Sequence, residues 1–322
     1  MKSKEKQSTG DKTVKETKNK ILGIAKATGD NISKMASATG KATTDITKRT
    51  VNSIAKSKET IVRTIDQNGD GEIGIDDVII LGLNVPGIRI NREAFLRKEL
   101  FKCYSQDVID DAIMYNPLHA NIKEEDINKI ADEVIKFERN CVSGISAALG
   151  APGGIAMAAT IPADITQYYG YMLRTMQKLL YLYGFPEINL KEDGNPIDTE
   201  TMNMLIICMG VMYGIAGTNN AIKAVAKALG TGVEKQLMSK ALTKGTIYPI
   251  VKSVSKWFGV KMTKTVFTGF FKKAIPVIGG VIGGGLTFLS FKPCCDKLKI
   301  SLQDTLLSNP SYNDEENDLE II

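Results

Sequence analysis

Apolar residues recur at helical spacing along most of this chain. Ile127, Ile130, Ala131, Val134 and Ile135 follow the i, i+3, i+4, i+7, i+8 rule of a helix with one buried face, and Glu124, Glu125 and Asp126 give it an acidic first turn. Ile165, Tyr168, Tyr169, Met172, Met176, Leu179, Leu180 and Tyr183 mark a second long amphipathic helix. Asp164, just ahead of that stripe and after Ile161-Pro162-Ala163, reads as its N-cap. A buried carboxylate paired with Arg174 is the other reading of Asp164. Between Arg92 and Arg139 the pattern is helical, and Asn116-Pro117-Leu118-His119 breaks it. His119 therefore reads as a loop residue, with no Cys/Asp/Glu cluster beside it in sequence.

Three stretches carry no charge: 142–163, 201–222 and 274–291, of 22, 22 and 18 residues. Each approaches the length that crosses a hydrocarbon layer. The first contains Pro152, Pro162, Gly150, Gly153 and Gly154, so it cannot be one uninterrupted helix. The second has Gly210, Gly214 and Gly217 and ends near Asn219 and Asn220. Both predict buried helices of a globular bundle. The third has overlapping G-x-x-x-G spacings that let another backbone approach closely, in lipid or in a tight core alike. Lys272-Lys273 and Lys292 bracket it, and core hairpin and membrane-inserted helix both stay open. Cys294 and Cys295 just beyond are ordinary cytosolic thiols, or palmitoylation sites if this end meets a membrane.

From Ile21 to Ile65 the apolar residues thin out. Ile21 to Ile32, Ala25 to Ala36, Met35 to Ile46, Val51 to Val62 and Ile54 to Ile65 are each eleven apart, near three helical turns, which keeps a narrow stripe on one side. Residues 1–60 hold 14 Lys/Arg against 6 Asp/Glu, whereas 313–322 hold five acids and no base. The arm is either solvated and disordered or an amphipathic helix lying on an anionic membrane. Scarce arginine (Arg49) and the lack of interleaved aromatics argue against nucleic acid. The basic start has no apolar segment behind it, so it predicts no secretory signal and a cytoplasmic protein, peripheral to or partly inserted in the inner face of the membrane. Five cysteines, odd in number and irregular in spacing, do not make a disulfide framework, and a single histidine excludes multi-histidine metal sites.

The sharpest local signal is 66–77: Asp66-Gln67-Asn68-Gly69-Asp70-Gly71-Glu72-Ile73-Gly74-Ile75-Asp76-Asp77. A hard cation needs six to eight oxygens, and a tight loop presents them from alternate positions. Asp66, Asn68 and Asp70 stand first, third and fifth, Gly71 sits at the sharp turn, Glu72 offers its carbonyl, and Gly74 leaves room for a water. This resembles an EF-hand loop. Asp77, in twelfth place where the common residue is a bidentate Glu, is similar to the dockerin-type variant. The expected ion is calcium, with magnesium as the alternative. Ile54, Ile61, Val62 and Ile65 predict an incoming helix and Val78 to Leu81 an outgoing one. Such hands usually pair; a lone one implies weak affinity, dimerisation through Ile73, or packing against the domain behind it.

Gly150-Ala151-Pro152-Gly153-Gly154, Thr160 to Ile165 with its Pro162-Ala163-Asp164, Tyr181-Leu182-Tyr183-Gly184-Phe185-Pro186 and the Ile275-to-Gly280 stretch together resemble the EcsC protein family over roughly residues 90–300. The resemblance implies a mainly helical bacterial fold and no catalytic residues. The predicted organisation is all-α: a basic arm at 1–52, a helix-loop-helix calcium hand at 53–86, a helical bundle at 87–305 with Gly-rich buried or membrane-associated helices, and an acidic tail at 306–322. No phosphate loop, dinucleotide fingerprint, H-E-x-x-H or G-x-S-x-G is present, and no small-molecule substrate is indicated. The expected function is a non-enzymatic, calcium-binding, membrane-associated adaptor, with a protein partner or a second copy as further contacts. The alternative is a helical protein that inserts through 274–291.

Overall fold

A computed structural model of the chain describes residues 65–67, 69, 73–150, 156–188, 197–231, 245, 247–259, 279–309 and 311. Among these there are nine helices and no strand. They are α1 (Ile75–Leu83), α2 (Arg92–Leu100), α3 (Gln106–Met114), α4 (Glu124–Gly150), α5 (Ala156–Leu182), α6 (Thr199–Tyr213), α7 (Thr218–Gly230), α8 (248–259) and α9 (Gly279–Gln303). The basic arm, the acidic tail beyond Ser311 and the start of the 274–291 stretch lie outside the described residues.

The α4 stripe is buried along its whole length, with Ala131 and Ile135 fully enclosed. It packs on two antiparallel neighbours. Against α9, Lys299 pairs with Asp132, Gln303 donates to Asn128, and Thr287 donates to Ser146, so partner numbers fall as α4 advances. Against α5 the order is likewise reversed: Tyr183 meets Asn128, Arg174 and Lys178 meet Glu138, and Asp164 meets Ser146. Met172, Met176, Leu179 and Leu180 of α5 are all buried, as their spacing requires. α5 stops where Gly184 adopts φ 90° and Phe185 N–H reaches back to Leu180 O.

The 201–222 stretch folds as two helices. Gly214 ends α6 at φ 70° and Gly217 precedes α7 at φ 84°, conformations that favour glycine. Leu205 to Met212 are buried without interruption. Where α5, α6, α8 and α9 meet, Tyr213 packs edge-on against Phe258 and Tyr168 against Phe291, at ring separations of 5.2 and 5.9 Å. α9 runs on past Pro293 and presents Phe291, Cys295, Leu298 and Leu302 to the core. Among the described residues no helix is long and apolar enough to cross a membrane.

One expectation is overturned. Asp164 is not an N-cap, because α5 begins at Ala156 and carries it inside the helix. Its Oδ1 accepts from Ser146 Oγ at 2.6 Å, and Thr287 Oγ1 donates to the same Ser146 oxygen at 3.1 Å. The hydroxyl–carboxylate chain thus joins α4, α5 and α9. Arg174 pairs with Glu138 and not with Asp164.

Candidate metal centre

The described part of the 66–77 loop comprises Asp66, Gln67, Gly69 and Ile73 to Asp77; Asn68, Asp70, Gly71 and Glu72 lie outside it. Asp66 Oδ1 accepts from Gly69 N–H at 2.6 Å, folding the first turn of the loop around that carboxylate. Asp77 is 0 % exposed, and its oxygens are divided between the two ends of the loop. Oδ1 accepts from Gln67 N–H at 2.8 Å and Oδ2 from Gly74 N–H at 2.7 Å. Gly74 is the N-cap of α1 and Asp77 its third residue, so the second bond is the carboxylate half of a capping box. Asp77 thus ties the loop closed and favours the positive end of the helix whether or not a cation is present.

The described carboxylates, Asp66 and Asp77, are of the oxygen-donor type that a hard cation takes. Each carboxylate oxygen has two lone pairs, so an N–H bond and an ion contact can share one oxygen. Asp66 and Asp77 would hold it, with Asn68, Asp70 and the Glu72 carbonyl completing the set from the undescribed part. Among the described residues alone, no three His, Cys, Asp or Glu side chains are grouped as a metal site.

The apolar positions decide how a single hand is accommodated. Ile73 is 2 % exposed, and Ile65 and Ile75 are as deeply buried within the main core. The outgoing helix is pressed onto α5: a Cβ added at Gly82 would lie 3.1 Å from Gly170 N and 2.8 Å from Leu173 Cδ1. Just after it, Gln177 accepts from Ile90 N–H at 3.0 Å and donates to Ile88 O at 3.0 Å, and Arg174 donates to Gly87 O. The described part of the segment therefore packs against the bundle behind it.

A second polar cluster lies in the α4/α5 seam, where Arg174 Nε and Lys178 Nζ both donate to Glu138 Oε1, at 3.0 and 2.5 Å. The spacing of Arg174 and Lys178, one turn apart within an apolar stripe, was the available signal; it pointed to no partner because Glu138 is 36 residues away. Cys208 and Cys295 are fully buried, and burial pushes the Cys208 thiol up to about 12. Cys295 is thereby enclosed in the core, not presented for acylation. His119 lies in the turn after α3, its ring 4.3 Å from that of Tyr115.

No protein-family model, curated protein or solved structure matches the chain.

Proposed function

We propose that this protein is a non-enzymatic, calcium-responsive adaptor in which the 66–77 loop links a basic arm to an EcsC-like helical body at an anionic membrane surface. The observation that carries the reading is the placement of Asp77. Its carboxylate bridges Gln67 and Gly74 while heading α1, and α1 is seated on α5 through the close approach of Gly82 to Gly170. Bound calcium, or magnesium in its place, would supply positive charge that offsets repulsion among Asp66, Asp70 and Asp77. Asp66 and Asp77 hold the entry and exit of the loop, and the residues before Asp66 belong to the basic lead-in. Ile65 on the entry side and Ile73, Ile75 and Val78 on the exit side are all buried in the core, so a change in the loop would reach the lead-in through Ile65.

The test is co-sedimentation of the full chain with phosphatidylglycerol-containing vesicles, in calcium and in chelator. Calcium-dependent binding, lost on removal of residues 1–52, is the expected result. Binding that ignores calcium would remove the switch, and binding that survives loss of the arm would move the membrane contact to the body.

A further inference from the structure

We propose that the α4/α5 seam at Arg174 and Lys178 is a binding site for a phosphate-type oxyanion. Glu138 is 0 % exposed and gives one oxygen to both cations. With distances of 3.0 and 2.5 Å to that oxygen, the two nitrogens stand no more than 5.5 Å apart. One buried carboxylate thus pins a pair of cations at the spacing that bridges a small oxyanion.

Three features remain unbalanced once the cluster is described as a structural ion pair. The first is charge: Arg174 and Lys178 outnumber Glu138, and their side chains are only 27 % and 11 % exposed. Lys98 stands beside Lys178, and Glu99 is shared between Lys98 and Lys102, the latter close to Glu133, so the surrounding groups leave one positive charge in excess. The second is donor capacity. Arg174 spends Nε on Glu138 and one amino nitrogen on Gly87 O, while its other amino nitrogen makes no hydrogen bond among the described residues. Lys178 gives Glu138 one of its three N–H groups and rests over the Phe95 ring at 5.6 Å. The third is Glu138 Oε2, which is buried and has no donor.

A phosphate monoanion answers all three at once. It carries negative charge, acceptor oxygens for Arg174 and Lys178, and a P–OH donor for the empty Glu138 oxygen. Sulfate carries the charge and the acceptors but no proton at neutral pH. Burial already lowers the Lys178 pKa, with Arg174 and Lys98 pushing the same way, and an anion would counter that cost. Glu138 thus has two parts in the site: Oε1 positions the two cations, and Oε2 would accept from the ligand.

The experiment is calorimetric titration of inorganic phosphate, and of sulfate at equal ionic strength, into the full chain. It is repeated on Arg174→Gln and on the charge-balanced Glu138→Gln/Lys178→Met variant, each checked for native helicity. Expected are phosphate binding by the wild type, weaker binding of sulfate, and at least a tenfold loss of phosphate affinity in both variants. Vesicles of phosphatidylcholine with and without phosphatidic acid separate the two sources of the group. Phosphatidic acid binding displaced by free phosphate assigns a lipid headgroup; phosphate binding without vesicle binding assigns a soluble phosphate. No response to phosphate in either form, equal response to sulfate, or undiminished binding in the variants would overturn the site. Should the charge-balanced variant not fold, Arg174→Gln, at the more exposed cation, decides alone.

Discussion

At the scale of single residues, burial sets what each polar group can do. Glu138 has no solvent to fall back on, and Glu138→Ala strands two cations in a seam that is mostly closed. A loss of about 3 kcal/mol in unfolding free energy is expected, at the lower end for breaking a buried pair because Arg174 retains some water. Urea denaturation of the variant against wild type measures it. The cysteines sort the same way: Cys103 is exposed, whereas Cys208 and Cys295 are enclosed and burial pushes both thiols up. A thiol reagent at neutral pH should label Cys103 first and reach Cys208 and Cys295 only on unfolding, as read by mass spectrometry of timed digests. Early labelling of Cys295 would mean that α9 leaves the core. The alternative reading, Asp164 paired with Arg174, fails for a plain reason. Asp164 is nearer in sequence, but helix geometry turns it toward Ser146, and only the antiparallel docking of α4 brings Glu138 opposite Arg174.

At the scale of elements, the long stripes were legible because one periodicity dominated. Ile127 to Ile135 and Ile165 to Tyr183 each hold a helical period over several turns, and both lie on buried faces of helices. One proline misled. Pro162 reads as lying ahead of the helix that Asp164 would cap, yet it stands inside α5; Pro293 likewise stands inside α9. A proline removes one backbone bond and strains the turn before it, a cost of about 3 kcal/mol that packing elsewhere can outweigh. For α9 the compensation is visible in Lys299, Gln303, Leu298 and Leu302, all beyond the proline and all engaged with the bundle. The α1/α5 crossing depends on small size. Gly82→Val would drive side-chain atoms into the Gly170 backbone and Leu173, and should cost about 1–3 kcal/mol despite removing a helical glycine. A lower Tm by calorimetry is the readout; an unchanged Tm would mean that α1 is not held against α5.

At the scale of the whole molecule, the bundle is built around phenols that burial keeps neutral. Tyr181 is pushed up to about 12, and Tyr169, Tyr183 and Tyr213 are also raised, in each case chiefly by desolvation. Tyrosines in the unfolded chain ionise near 10, so above that pH the native state binds more protons than the unfolded one. Stability from these groups is complete below pH 10 and falls as pH rises through 10 to 12, by about 1.4 kcal/mol per pH unit for each such tyrosine. The share of tyrosinate absorbance that comes from these four should therefore rise together with loss of helicity; ionisation of all ten tyrosines while helicity is retained would contradict that linkage. The candidate metal loop was legible as a motif, since Asp66, Asn68, Asp70 and Asp77 fall at fixed places. Its anchoring was not, because Gly82 against Gly170 and Ile73 in the core are contacts between distant parts of the chain. The central claim is that Asp66 and Asp70 bind calcium in a loop that Asp77 closes. Calorimetric titration of calcium, then magnesium, into the full chain and into Asp66→Ala/Asp70→Ala tests it most directly. One calcium per chain in the wild type, tighter than magnesium and abolished in the variant, is the expected result; no binding heat in the wild type, or the same heat in both proteins, would contradict it.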